Sequence, residues 1–271
     1  MKFCFIQNDF LPQDKIIGLL TYYSSDRSFC IDLDKRRKPI DMALLLGAYA
    51  EKGQFTLDPA WSERWVSQRI VPTDRQNLGM ILREAGLKEY DRYKLLLLSG
   101  GHCAQDDLSI CPVREDRLEG WMRERLKKRL TLAVPLTGFR MLLLRGNKEI
   151  HVVKLRPLLS KEDRFRRICA DEAAFSRGRL ITGGSGLTWG EGLYLMAEDI
   201  LARSKPLPIN EEDLRQIISA SVMDTAQICA ECGVSRQYVN KLTADGQLKP
   251  LPLSGRSRLY LRSDVPLAAK S

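Results

Sequence analysis

The chain has 271 residues, 44% hydrophobic and 28% charged, with a formal net charge of +9. That balance excludes a disordered chain and predicts about two or three domains. No apolar run reaches the roughly 18 residues of a membrane span, so a membrane partner is not expected. MKFCFIQNDF has no long apolar stretch after its basic residue, so neither is a signal peptide. Seven cysteines, an odd number in a chain of this size, predict reduced thiols and a cytoplasmic setting rather than a disulfide framework. The basic balance favours a polyanionic partner.

In chain order, residues 1–113 read as an N-terminal α+β module. Ile17 to Tyr23 and Phe29 to Leu33 are predicted strands, joined by a turn at Ser24 to Ser28. Helices follow over Met42 to Glu51 and over Pro59 to Ile70, where Trp61 and Trp65 share a face. Another is predicted from a cap at Asp74 to Ala85, stopped by Gly86, and a fourth over Tyr90 to Ser99. Residues 114–129, REDRLEGWMRERLKKR, hold seven basic and four acidic residues, a net of +3. They read as a solvated helical connector.

Residues 130–203 read as a second small α+β domain. Strands are expected over Leu130 to Leu136, Phe139 to Leu144 and Glu149 to Leu155, with a tight turn at Arg145 to Lys148. Short helices around Asp163 to Cys169 and Asp171 to Phe175 come next. Two short strands, Leu180 to Thr182 and Leu187 to Trp189, flank a glycine-rich bend, and a helix over Met196 to Ala202 closes the unit. Phe139, Leu143, Val153, Phe175 and Trp189 are its expected core. Residues 204–220 read as a linker, Ser204 to Pro208, and an amphipathic helix with Leu214, Ile217 and Ile218 on one side.

Residues 221–271 carry the most informative stretch, DTAQICAECGVSRQYVNKLTADGQL. Two helices crossing steeply need a small residue where their backbones approach, a turn residue tolerant of positive φ, and apolar residues sealing the angle. Cys229 is small, Gly233 is the turn, and Ile228, Cys232, Val234, Val239 and Leu242 are the seal. Ser235 is a good N-cap for the second helix. That helix would expose Arg236, Gln237, Asn240 and Lys241. Arginine reads guanine, and glutamine or asparagine reads adenine, by paired hydrogen bonds in the major groove; Lys241 suits a phosphate. Tyr238 has two open roles, packing or phosphate contact. Beyond Gly246, Leu248 to Leu253 and Leu259 to Leu261 read as strands about Ser254 to Arg258. Arg256 and Arg258 would then form a basic wing on phosphates or in a minor groove. From Ser221 onward the charge is again +3, seven basic against four acidic residues.

GVSRQYVNKLTADGQLKPLPLSGRSRLYLRSDV resembles the winged helix-turn-helix of the mercury-resistance-regulator and excisionase superfamily. The resemblance implies that Ser235, Arg236, Gln237, Asn240, Lys241 and the wing arginines face double-stranded DNA. The long dimerisation helix of the regulator branch is missing. Residues 130–203, through FRMLLLRGNKEIHVVKLRPLL, DEAAF and GSGLTWGEGLYLMAEDIL, resemble a small bacterial family called domain of unknown function 2442. Some members of that family carry an appended helix-turn-helix, and some are suspected antitoxins. Residues 16–113, through IGLLTYY and FCIDL, RIVPTDRQNLGMILREAGL and YKLLLLSGGHCAQDDLSICP, resemble the small N-terminal subdomain of the HipA toxin family. Its kinase core has no counterpart here.

Other chemistry is not expected. Cys229 and Cys232 have metal or redox spacing but occupy core positions of the helix pair, with no second ligand pair nearby. His102, Cys103, Asp106 and Asp107 lie in a loop without a marked base, and His151 reads as a solvent-facing strand residue. Gly183 to Gly186 lacks the Lys-Ser/Thr of a phosphate loop. The expected fold class is thus α+β and multi-domain, two small α+β modules followed by a winged helix-turn-helix over roughly Met223 to Asp264. The expected function is a sequence-specific DNA-binding transcriptional regulator, its own gene among the candidate targets, whose N-terminal modules bind a partner or an effector, with no cofactor, no bound metal and no enzymatic activity. Paired half-sites predict a homodimer. The alternative is an antitoxin-like or scaffold protein whose main role is to bind another protein through residues 1–203.

Overall fold

A computed structural model describes residues 1–190, 192–251 and 258–265. The fold class is α+β, with helices and antiparallel sheets. The chain divides into two compact units, Met1–Leu207 and Pro208–Ser271.

The first unit opens with strands β1 (Lys2–Asn8), β2 (Ile16–Tyr23) and β3 (Ser28–Leu33). Four helices follow, α1 (Leu44–Glu51), α2 (Pro59–Ser67), α3 (Leu78–Glu84) and α4 (Arg92–Leu98), before β4 (Leu108–Val113). The sheet order is β3-β2-β1-β4, all antiparallel. Side chains alternate across a strand, and β1 uses both faces. Cys4 and Ile6 join Leu46, Trp65, Val66 and Leu96 in the main core. Phe3, with Leu19 of β2, packs instead on Leu118 and Met122.

Those two residues correct the reading of 114–129 as a solvated connector. The helix α5 (Gly120–Lys127) covers the second face of the sheet, with Leu118 and Met122 buried. Leu118, Met122 and Leu126 recur every four residues, a stripe narrow enough to be hidden among eleven charges. Likewise Asp74 does not cap the third helix. Asn77 precedes it, without a side-chain capping bond.

The chain then forms β5 (Leu130–Leu136), β6 (Arg140–Arg145) and β7 (Glu149–Lys154), a meander. Three short helices, α6 (Arg156–Leu159), α7 (Arg166–Ala170) and α8 (Glu172–Phe175), lead to a small sheet of β8 (Arg179–Leu180), β9 (Gly186–Thr188) and β10 (Tyr194–Met196). Helix α9 (Ala197–Leu201) and strand β11 (Lys205–Asn210) end the segment. Phe139, Leu143, Val153 and Phe175 are buried in one core, and Trp189 packs against it with its Nε1–H donating to the Phe175 carbonyl at 2.9 Å.

The expected linker at Ser204 to Pro208 is instead largely strand, because β11 extends the meander in the order β11-β7-β6-β5. His151 is also corrected: it is buried, and its Nδ1 lies 2.8 Å from Ser204 Oγ. Nor do the boundaries at 113/114 and 129/130 separate units. Glycines 183 and 184, both at positive φ, make this concrete. A β-carbon on Gly184 would collide with the Leu130 carbonyl, and one on Gly183 with the Tyr23 ring. The glycine-rich bend between β8 and β9 therefore packs directly on Tyr23 of the first sheet.

In the second unit, α10 (Glu211–Ser221) starts at a capping box, with Asn210 Oδ1 accepting from the backbone of Glu212 and Asp213 at 2.8 and 3.0 Å. Then come β12 (Val222–Asp224), α11 (Thr225–Cys232), α12 (Arg236–Ala244) and β13 (Leu259–Leu261). β12 and β13 pair antiparallel, Met223 opposite Tyr260, and Pro250 bridges to Tyr260 from the other side. The expected strand from Leu248 to Leu253 is shorter in what is described. Leu248 is core, Leu251 N–H donates to the Leu259 carbonyl at 2.8 Å, and residues 252–253 lie outside the described residues.

Candidate nucleic-acid interface

The second unit is built around α11 and α12. Asp224 and Gln227 close the start of α11 reciprocally: Gln227 N–H donates to Asp224 Oδ1 at 2.7 Å, and Asp224 N–H to Gln227 Oε1 at 2.8 Å. Gly233 ends the helix in the left-handed region at φ 68° and ψ 25°, which a residue with a β-carbon reaches only at a cost. Two residues later Ser235 Oγ accepts from Tyr238 N–H at 3.2 Å and starts α12.

Helical periodicity then sorts the side chains of α12. Val239 and Leu242 point into a core with Met223, Ile228, Leu248 and Tyr260. Cys229, Cys232 and Val234 pack at its edge, half-buried rather than central. Tyr260 locks β13 onto the helix through its hydroxyl, 3.1 Å from Thr243 Oγ1. The opposite face of α12 is open. Ser235, Arg236, Gln237, Tyr238, Asn240 and Lys241 are all exposed, with Tyr238 at 43%.

Arg258 reaches this face from the start of β13, its Nη1 lying 3.5 Å from Asn240 Oδ1. Arg256 lies outside the described residues. The charges within this unit are used in two ways. Arg262 is tied down, pairing with Glu231 and donating from Nε to the Ala220 carbonyl at 3.1 Å, and Arg215 pairs with Glu211. Among the described residues Arg236, Lys241 and Arg258 have no ion-pair partner. Three unpaired cations thus lie on or beside one helix face, with two amide side chains among them. The Arg262–Glu231 clamp is a feature the sequence reading missed; no local spacing links residues 31 positions apart.

In the first unit the His102 loop is tied into its surroundings through Asp106. Asp106 pairs with buried Arg69 and accepts from Leu108 N–H at 3.2 Å, while His102 is exposed. Asp106 therefore serves as a structural anchor in its loop. Among the described residues no three His, Cys, Asp or Glu side chains come together in a way that could hold a metal ion. No described helix is long and apolar enough to cross a membrane.

Compared with family models, curated proteins and solved structures, the chain matches none.

Proposed function

We propose that this protein is a sequence-specific DNA-binding transcriptional regulator, acting through α12 of the second unit. One observation carries the reading. The helix is held by Val239 and Leu242 on one side and presents Arg236, Gln237, Asn240 and Lys241 on the other, with Arg258 against Asn240. A helix of this width fits the major groove, where arginine and amide side chains form paired bonds to base edges. Cations beside it suit the phosphate backbone. The strand pairing Pro250–Tyr260 and β12–β13 supports an arginine-bearing wing next to that helix.

Dimerisation belongs to the same proposal, since palindromic operators match a twofold protein. The amphipathic side of α10 supports it: Ile217 and Ile218 are 49% and 53% exposed. The expected protein partner of residues 1–203 is the reading that remains if DNA is not bound.

A gel-shift with the DNA upstream of the protein's own gene, at fixed salt, is the test. Arg236→Ala and Gln237→Ala should each lose about 1–3 kcal/mol of specific binding. Unchanged affinity in both variants would overturn the assigned recognition face. Binding without sequence preference would reduce the interaction to charge attraction.

A further inference from the structure

The first unit contains a cavity of about 390 Å³, within the size range of small-molecule sites. It is lined by elements of both halves of that unit, α5 and the turn after β3 on one side and α9 on the other. Six cations line it against three carboxylates. All three carboxylates are already engaged. Asp34 pairs with Arg36 at 2.6 Å, Glu198 with Arg125 at 2.6 Å and Lys35 at 3.4 Å, and Glu124 with Lys127 at 3.2 Å.

Five of the six cations are paired as well, Arg36 with Asp34, Lys35 and Arg125 with Glu198, Arg129 with Asp32 and Arg145 with Glu149. Lys128 is exposed and has no ion-pair partner among the described residues. Arg129 is buried, and while its Nη2 donates to Asp32 at 2.6 Å, its Nε–H has no acceptor. A buried donor without an acceptor is costly, and this one is closed off from the open space of the cavity. Burial opposes the charge of Arg129, yet Asp32 and its other neighbours outweigh that and keep it protonated. The wall also holds an aromatic ring: Trp121, whose Nε1–H donates to Glu119 Oε2 at 2.9 Å and so fixes its orientation.

We infer that this cavity binds a small phosphorylated ligand carrying a flat ring, of nucleotide size. The phosphate sits against Lys128, and the ring lies on Trp121. A doubly charged oxyanion offers several acceptors to the lysine ammonium. An aromatic face accepts a planar base by stacking. This site belongs to the first unit and does not rest on the DNA-binding reading.

Calorimetric titration of the full chain with AMP, and separately with inorganic pyrophosphate, tests it. AMP should bind with a dissociation constant below about 1 mM. Lys128→Glu should weaken both probes about tenfold or more, the size of a lost charge-assisted bond. Trp121→Ala should weaken AMP while leaving pyrophosphate nearly unchanged. Lys154→Glu, an exposed charge that does not line the cavity, is the control for general attraction. Circular dichroism melting of each variant reports folding, and Lys128 is exposed enough that its substitution should not move the melt. Absence of AMP binding up to millimolar concentration would overturn the inference. So would equal weakening by Lys128→Glu and Lys154→Glu.

Discussion

Arg129 Nη2 donates to Asp32 Oδ2 at 2.6 Å, joining the segment between α5 and β5 to the buried strand β3. The second oxygen of Asp32 accepts from Arg125 Nε at 2.9 Å and Thr56 Oγ1 at 2.8 Å, and Arg125 continues to Glu198 on α9. One buried carboxylate thus balances two guanidinium groups and links both halves of the first unit. Replacing Asp32 by alanine strands buried positive charge, which typically costs about 3–5 kcal/mol. Denaturant unfolding of Asp32→Ala should show a loss of that order, with Asp32→Asn smaller. A loss below about 1 kcal/mol would mean that water already solvates the cluster.

Asp34, two residues on, predicts the response to acid. Burial alone would raise its carboxyl, but bonds from the Arg36 side chain and backbone, with the charges of Arg36 and Arg37, hold it below the usual carboxylate range. A carboxylate depressed in the folded state contributes stability above its unfolded value, near 3.9, and loses it as pH falls through the lower folded value. Melting temperature should therefore drop below about pH 4. Arg36→Ala should flatten part of that drop. An acid limb identical in parent and variant would sink this assignment.

At Gly184 the test is steric. Any β-carbon there meets the Leu130 carbonyl, and the backbone is already at φ 71°. Gly184→Ala should destabilise the first unit by several kcal/mol, since strain at positive φ alone is about 1–2 kcal/mol. Gly233→Ala, where no atom lies within 4 Å of the new carbon, should cost only that conformational penalty. Comparable unfolding shifts for the two would contradict the packing described at Gly184.

Much of the second unit was legible because its signals are local. Ser235, Gly233 and the spacing of Val239 and Leu242 dictate cap, turn and buried stripe within ten residues. The hairpin of β2 and β3 was readable for the same reason. What escaped depends on partners far along the chain. β1 lies between β2 and β4, and its pairing with β4 joins residues 100 or more positions apart, beyond the reach of any local pattern. His151 looked exposed because its partner Ser204 sits in a segment that read as linker. The cavity cations were visible as charge, but which were already paired with carboxylates was not.

Lys241 and Arg258 lead to the last expectation. Neither has an ion-pair partner among the described residues, and Arg258 lies against Asn240 rather than against an acid. In the DNA-binding reading they meet phosphates, so their loss should act on charge and not on sequence choice. Lys241→Ala and Arg258→Ala should weaken specific and non-specific duplexes to a similar degree. Each should also lower the slope of log affinity against log salt by about 1, the count of one phosphate neutralised. Arg236→Ala should do the reverse, relaxing sequence preference more than it lowers the slope. If Arg258→Ala changes which base is preferred while leaving the salt slope untouched, then Arg258 reads a base, and the division of labour between helix and wing must be redrawn.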